Sequence, residues 1–237
     1  MKSLKYSDVA LVPKYSEALT RASCDTSIKI GGRNFQLPII PANMKSVIDT
    51  DIASWMSEKD YFYIMHRFDI DILKFISQAN SENWKNISIS LGVKKHDEKI
   101  IEYIREKKLR VDFITIDIAH GYSLSMKKMI EYIKAELNDT IIIAGNVATP
   151  DAVVSCTDSP SLSTKIDNLA CKGYFGSASV ENKGHNKNIE GKLITIPSNQ
   201  MTYEEKLEEV KQDLQSAISY GGGLDLNCLK EVKHTEL

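Results

Sequence analysis

The sequence has no long apolar run. Its longest hydrophobic stretches are strand-length, far short of the ~20 residues a membrane helix needs. The opening Met1-Lys-Ser-Leu-Lys-Tyr-Ser-Asp8 contains no apolar leader core, so a cytoplasmic protein is expected. Cysteine is sparse and scattered: Cys24, Cys156, Cys171 and Cys228 form no C-x-x-C pair, and no histidine stands near them at zinc-ligand spacing. They read as free thiols, and no metal is expected. An excess of either charge is also missing. With 30 Lys and Arg against 32 Asp and Glu, and no block of one sign, neither nucleic acid nor a membrane is an expected partner. No G-x-G-x-x-G occurs, which disfavours a Rossmann cofactor site. There is no internal repeat and no low-complexity tract.

What is present is an ordinary globular composition over 237 residues, 42% hydrophobic and 26% charged. Residues 35 to 145 alternate strand and helix signals. Five short apolar runs read as strands: Phe35 to Met44, Tyr61 to Met65, Ile87 to Leu91, Val111 to Asp117 and Thr140 to Gly145. Between them, Asp51 to Lys59 and Asp71 to Gln78 read as helices, Asp97 to Lys107 sets Ile100, Ile101 and Ile104 on one side, and Ser123 to Leu137 carries helical periodicity. Such alternation predicts a parallel sheet covered by helices, which a doubly wound sheet and a barrel both satisfy. Past Pro150 the regularity stops, and only Leu193 to Ile196 reads as a further strand. A helix follows from Thr202 to Tyr220, with a capping box at Thr202 and Glu205 and with Leu207, Val210, Leu214 and Ile218 on one face. Gly221-Gly-Gly223 stops it, and Gly31-Gly32 is a turn. Five strands do not close an eight-stranded barrel, so an incomplete sheet with an exposed edge is expected.

Function in parallel α/β folds gathers where strands end. Those ends carry Asn43, His66, Arg67, Lys94, Asp117, His120 and Asn146. Singly, each is explained by loop solvation or capping; their recurrence at successive ends supports a small-molecule site on one face of the sheet. For His66 and His120 the simplest reading is a bond to a backbone carbonyl.

Several longer strings resemble the GMP reductase branch of the IMP dehydrogenase/GMP reductase family. They are Tyr6-Ser-Asp-Val-Ala-Leu-Val-Pro13, Pro38-Ile-Ile-Pro-Ala-Asn-Met44, Tyr61-Phe-Tyr-Ile-Met-His-Arg-Phe68, Ile116-Asp-Ile-Ala-His-Gly121 and Ile143-Ala-Gly-Asn-Val-Ala-Thr-Pro150. Tyr174-Phe-Gly-Ser-Ala-Ser179, Glu190-Gly-Lys192 and Asp213 to Tyr220 continue the match. The resemblance implies a TIM (β/α)8-barrel, here incomplete with about five barrel strands, in a single domain over 1–237. Residues 1–153 would be the N-terminal part of the barrel, 154–173 a junction replacing a missing segment, and 174–237 the flap and C-terminal helix. It also implies purine nucleotide salvage by NADPH-dependent reductive deamination of GMP to IMP and ammonia, in a homo-oligomer that is a tetramer in the family. In that chemistry a thiolate attacks C2 of the purine, a threonine and a glutamate manage protons, and hydride from NADPH frees IMP.

Residue by residue, Glu190 matches the family's catalytic glutamate. Thr20, Arg21, Arg67, Asp117 and Ala119 match cofactor contacts. Ser216 and Ser219 match a cofactor contact that a neighbouring subunit contributes. The family's nucleophilic cysteine, its threonine and its two phosphate-binding loops belong between Val154 and Tyr174, where about twenty unrelated residues stand instead. Ser161-Leu-Ser-Thr-Lys-Ile166 echoes the cysteine segment, but with Leu162 in the cysteine's place. Cys156 lacks a basic neighbour that would lower its pKa, and Cys171 adjoins Lys172 just before the flap. The alternative the sequence leaves open is a catalytically inactive, truncated homologue that binds nucleotide or joins full-length subunits.

Overall fold

The computed structural model describes residues 8–147 and 202–236. In chain order its elements are β1 (Val9–Leu11), β2 (Ile28–Ile30), β3 (Arg33–Phe35), α1 (Thr50–Glu58), α2 (Ile72–Ser81), β4 (Ser88–Leu91), α3 (Lys95–Glu106), β5 (Phe113–Ile116), α4 (Leu124–Glu136), β6 (Ile141–Ala144), α5 (Tyr203–Tyr220) and β7 (His234–Glu236). Single 3-10 turns lie at Arg21–Ser23 and Leu226–Lys230. The chain divides into two units. The first holds Met1–Lys29, Asn34–Pro38 and Thr195–Leu237; the second holds Ile30–Arg33 and Ile39–Ile194.

In the second unit, β4, β5 and β6 pair in parallel in that order, with Ser88 opposite Phe113 and Phe113 opposite Ile141. Side chains alternate across a strand. Ile89, Leu91, Ile114, Ile116 and Ile142 therefore share one face, and Ser88, Ser90, Phe113 and Thr115 the other. The first face joins Met56 of α1, Phe75 and Ile76 of α2, Ile101 and Ile104 of α3, and Met126, Ile130 and Ile133 of α4 in one buried cluster. Burying each such side chain stabilises the fold by about 1.5–3 kcal/mol. Three of these helices start on side-chain caps: Asp49 accepts from the Ile52 amide, Asp71 from Lys74 and Ser123 from Met126. All four helices lie within a few residues of the segments read as helical from the sequence.

The strand count differs from the five expected. Among the described residues, three of the five runs form ladder strands. Tyr61 to Met65 joins the sheet only at its end, where Met65 N donates to Ser88 O (3.1 Å) and Met65 O accepts from Ser90 N (3.0 Å) in a parallel bridge beside β4. The stretch from Pro38 to Met44 forms no strand. Pro38 and Pro41 have no N–H to give a ladder, and this run is bent where a strand was expected. The described strands form one three-stranded sheet and two two-stranded ones, and no closed barrel. The expected strand at Leu193 to Ile196 lies outside the described residues.

β2 and β3 form a two-residue hairpin through Gly31 (φ +55°) and Gly32 (φ +83°). Positive φ at both central positions is what a type I′ turn demands. In the first unit β1 pairs antiparallel with β7, Val9 opposite Glu236. The capping box of α5 forms as expected: Thr202 Oγ1 accepts from Glu205 N (3.2 Å), and Glu205 Oε2 from Thr202 N (2.8 Å). Leu207 and Ile218 are buried and Val210 and Leu214 half-buried. Gln215 is buried as well, its Nε2 donating to Ala22 O and Cys24 O, both at 3.3 Å. After α5, Gly222 turns at φ +82°, where a Cβ would come within 2.6 Å of Tyr15 O.

Candidate functional site

The carboxyl ends of the second unit's strands gather the polar residues. Met65 leads into His66 and Arg67, β4 into Gly92, β5 into Asp117 and β6 into Gly145. Arg67 Nη2 donates to Asp117 O (3.0 Å), and its Nε faces Asp117 Oδ2 at 3.5 Å. That second approach is an ion pair without hydrogen-bond geometry. Arg67 Nε and Asp117 Oδ2 are both buried atoms without a hydrogen-bond partner. The guanidinium also lies 4.5 Å from the centre of the Phe68 ring. Asp117 N donates to Leu91 O (2.8 Å), so the main chain holds its position at the strand end. The loops after β5 and β6 touch through Gly121 N, which donates to Asn146 O (2.9 Å); a Cβ on Gly121 would come within 2.6 Å of Gly145 O. Ala119 and His120 are exposed beside this contact.

His66 is buried. Its Nδ1 accepts from the Phe68 amide (3.3 Å) rather than bonding a carbonyl, so the neutral ring carries its proton on Nε2. Burial, aided by the Lys45 charge and opposed by Asp69 and Asp49, lowers its pKa below the ordinary 6.5. A depressed folded-state pKa means that the unfolded chain takes up the proton first as pH falls. Stability that is complete above pH 6.5 is then lost below it. His66→Asn keeps an acceptor near the Nδ1 position and does not titrate. It is expected to flatten the decline of melting temperature below pH 6.5 relative to wild type; parallel curves for the two proteins would refute this.

The remaining expected contacts belong to the first unit. Arg21 Nη2 donates to Tyr220 OH (2.8 Å), its Nη1 to Ser216 Oγ (3.4 Å), and its guanidinium lies 5.2 Å from the Tyr220 ring centre. Thr20 O accepts from Ser23 N and Ser23 Oγ. Ser219 is half-buried on the last turn of α5. Arg67, Asp117 and Ala119 thus stand together in one unit, and Thr20, Arg21, Ser216 and Ser219 in the other. Glu190, Cys156, Cys171 and Leu162 lie outside the described residues. Among the described residues no group of three His, Cys, Asp or Glu side chains could hold a metal ion, and no helix is long and apolar enough to cross a membrane.

Sequence reasoning missed two participants. In the sequence Tyr220 ends a helix and closes a family-like string, with no role of its own; its place next to Ser219 is the available signal. Asp97 was read only as a helix start. In the structure its carboxylate is buried and accepts from both Gly92 N and Lys94 N, each at 2.9 Å.

A parallel sheet covered by helices, with charged and polar groups collected at its strands' carboxyl ends, defines the second unit as an α/β fold. Comparison narrows the class. The family model described as the IMP dehydrogenase / GMP reductase domain matches residues 3–158. The GMP reductase of Acidovorax ebreus (strain TPSY) is 31% identical over 316 residues, covering 100% of this chain and 97% of its own. That of Mesoplasma florum (strain ATCC 33453 / NBRC 100688 / NCTC 11704 / L1) is 33% identical over 320 residues, covering 100% and 98%. That of Staphylococcus aureus (strain MRSA252) is 32% identical over 314 residues, covering 99% and 96%. The chain belongs to the IMP dehydrogenase/GMP reductase family. The match to the Acidovorax protein spans 316 positions against the 237 residues of this chain, a difference of 79.

Proposed function

We propose that this chain is a GMP reductase by descent, its site laid out for the NADPH-dependent reductive deamination of GMP to IMP and ammonia in cytoplasmic purine salvage. The observation that carries the reading is the Arg67–Asp117 pair at the strand ends, in a chain similar along its whole length to proteins named GMP reductase. The orphaned Arg67 Nε and Asp117 Oδ2 fit a bound polar group: each is a buried hydrogen-bonding atom with capacity to spare. In the second unit, Arg67, Asp117 and Ala119 match the family's contacts to the nicotinamide cofactor; in the first, Thr20 and Arg21 match such contacts as well. Ser216 and Ser219 would serve a neighbouring subunit of a homo-oligomer. When bound, the cofactor supplies hydride. The chain's own part is to fix the cofactor's polar groups, with Arg67 contributing positive charge, and Glu190 to handle protons.

A second reading is favoured by the short, dissimilar stretch at 154–173, read as a junction in the barrel before a flap and C-terminal helix at 174–237. In it the chain has lost turnover and only binds nucleotide or joins full-length subunits. The first reading requires cofactor binding. Titrating the whole chain with NADPH and following nicotinamide fluorescence is expected to give a saturable signal, weakened at least about tenfold by Arg67→Ala, the scale of one charge-assisted bond. A linear, unsaturable response from the wild-type chain would sink the first reading; failure to co-purify with a co-expressed intact reductase, together with no nucleotide binding, would sink the second.

A further inference from the structure

The sheet order sets Arg67 a geometric problem. It follows Met65, which lies beside β4, yet it bonds the main chain at the end of β5 on β4's other side. Adjacent strands are about 4.8 Å apart, so the side chain crosses roughly 10 Å over the end of β4. The residue beneath the crossing is Gly92. A Cβ there would stand 3.5 Å from Arg67 Nη1 and 2.9 Å from Asp97 Oδ2. The guanidinium and the Asp97 carboxylate therefore border the same small space above a bare Cα.

Asp97 is held hard in place. It is 2% exposed and its two oxygens accept separately, Oδ1 from Gly92 N and Oδ2 from Lys94 N, both at 2.9 Å. Charge-assisted bonds of this kind are about twice as strong as neutral ones. Together they fold the turn after β4 back on the start of α3 and keep it below the path of Arg67. His96 Nε2, 3.4 Å from Oδ1, is the other charge-bearing neighbour. Arg67 thus lies near two carboxylates: Asp117, which it touches, and Asp97, which fixes the floor it crosses.

We propose that Asp97 is a positioning residue for the Arg67 guanidinium, acting through the Gly92–Lys94 turn; its bearing on cofactor binding rests on the reading of Arg67 given above. Loss of one carboxylate oxygen as an acceptor frees the turn, and the guanidinium loses its floor and a nearby negative charge. The buried Nε–H of Arg67 then opens to water.

The test uses the whole chain and two readouts. In a 1H–15N spectrum, the Arg67 Nε–H signal, assigned by its disappearance in Arg67→Lys, is expected to be slow to exchange in wild type. It is expected to broaden or vanish in Asp97→Asn while the amides of α3 stay protected. The same variant is expected to weaken NADPH binding about tenfold, the scale of one misplaced charge-assisted bond. An unchanged Arg67 signal in Asp97→Asn overturns the proposal. If the signal moves but neither Arg67→Ala nor Asp97→Asn alters NADPH binding, positioning of Arg67 stands and its role toward the cofactor fails. Should Asp97→Asn lose its cooperative melt, Gly92→Ala carries the test, because its methyl group enters the same space; an undisturbed Arg67 signal there also overturns the proposal.

Discussion

Purified and supplied with GMP and NADPH, the chain is expected to consume NADPH no faster than an enzyme-free control. The family reaction opens with a thiolate bonding to C2 of the purine, so the rate depends on a cysteine at the mouth of the strands. None of the described strand ends carries one. Cys24 is buried in the first unit, and Cys228 there donates its thiol proton to Ile218 O at 3.5 Å. Burial raises the Cys228 pKa, with the nearby Asp225 charge adding to it, so that sulfur is held as a thiol rather than a nucleophile. Removing a nucleophile from a working site costs on the order of a millionfold in turnover. Absorbance at 340 nm, with IMP measured separately, checks the expectation. GMP-dependent NADPH loss matched by equal IMP and ammonia would overturn it. Cys156→Ser and Cys171→Ser would then show which thiol had taken over.

Asp112→Ala is expected to destabilise the fold strongly. Asp112 is buried just before β5, opposite the strands' functional ends. Its Oδ2 accepts from Ile87 N (2.7 Å) and its Oδ1 from Arg33 Nη2 (2.5 Å), while Arg110 Nε lies 3.7 Å away. Arg33 also donates to Lys85 O (2.8 Å), and Arg110 to Trp84 O. One carboxylate therefore ties the β2–β3 hairpin tip and the lead-in to β4 to the start of β5. Alanine leaves the buried Ile87 N–H without an acceptor and removes the anion between two arginines. Both arginines are partly exposed and can rehydrate, so the cost falls at the lower end of that for breaking a buried pair, about 3 kcal/mol. For a chain of this size that lowers the melting midpoint by roughly 6–12 °C. Asp112→Asn, which keeps one acceptor, is expected to fall between alanine and wild type. An alanine variant that melts with the wild type would refute the account.

The legible parts of the site were those written in contiguous residues. Arg67 and Asp117 stand out because each lies at the end of a strand-length apolar run, and the structure brings the two together; Ala119 enters only through the family resemblance. Asp97 was not legible. Its meaning lies in two backbone amides, Gly92 N and Lys94 N, and in an arginine thirty residues earlier. No periodicity encodes a main-chain donor's direction. Arg21 and Ser216 show the same limit, being brought to 3.4 Å across a separation of 195 residues.

The amino-acid order by itself determined the helices, their caps and the family. Apolar spacing at 3.6 residues and capping side chains such as Asp49, Asp71, Ser123 and Thr202 act over a single turn, where neighbours in sequence are neighbours in space. Only the tertiary structure decided which runs pair. Tyr61 to Met65 is as apolar as Ile87 to Leu91, yet it meets the sheet at one residue, and Pro38 to Met44 does not meet it at all among the described residues. Strand pairing is a contest among distant backbones for the same N–H and C=O groups, and its outcome depends on where the rest of the chain has already gone.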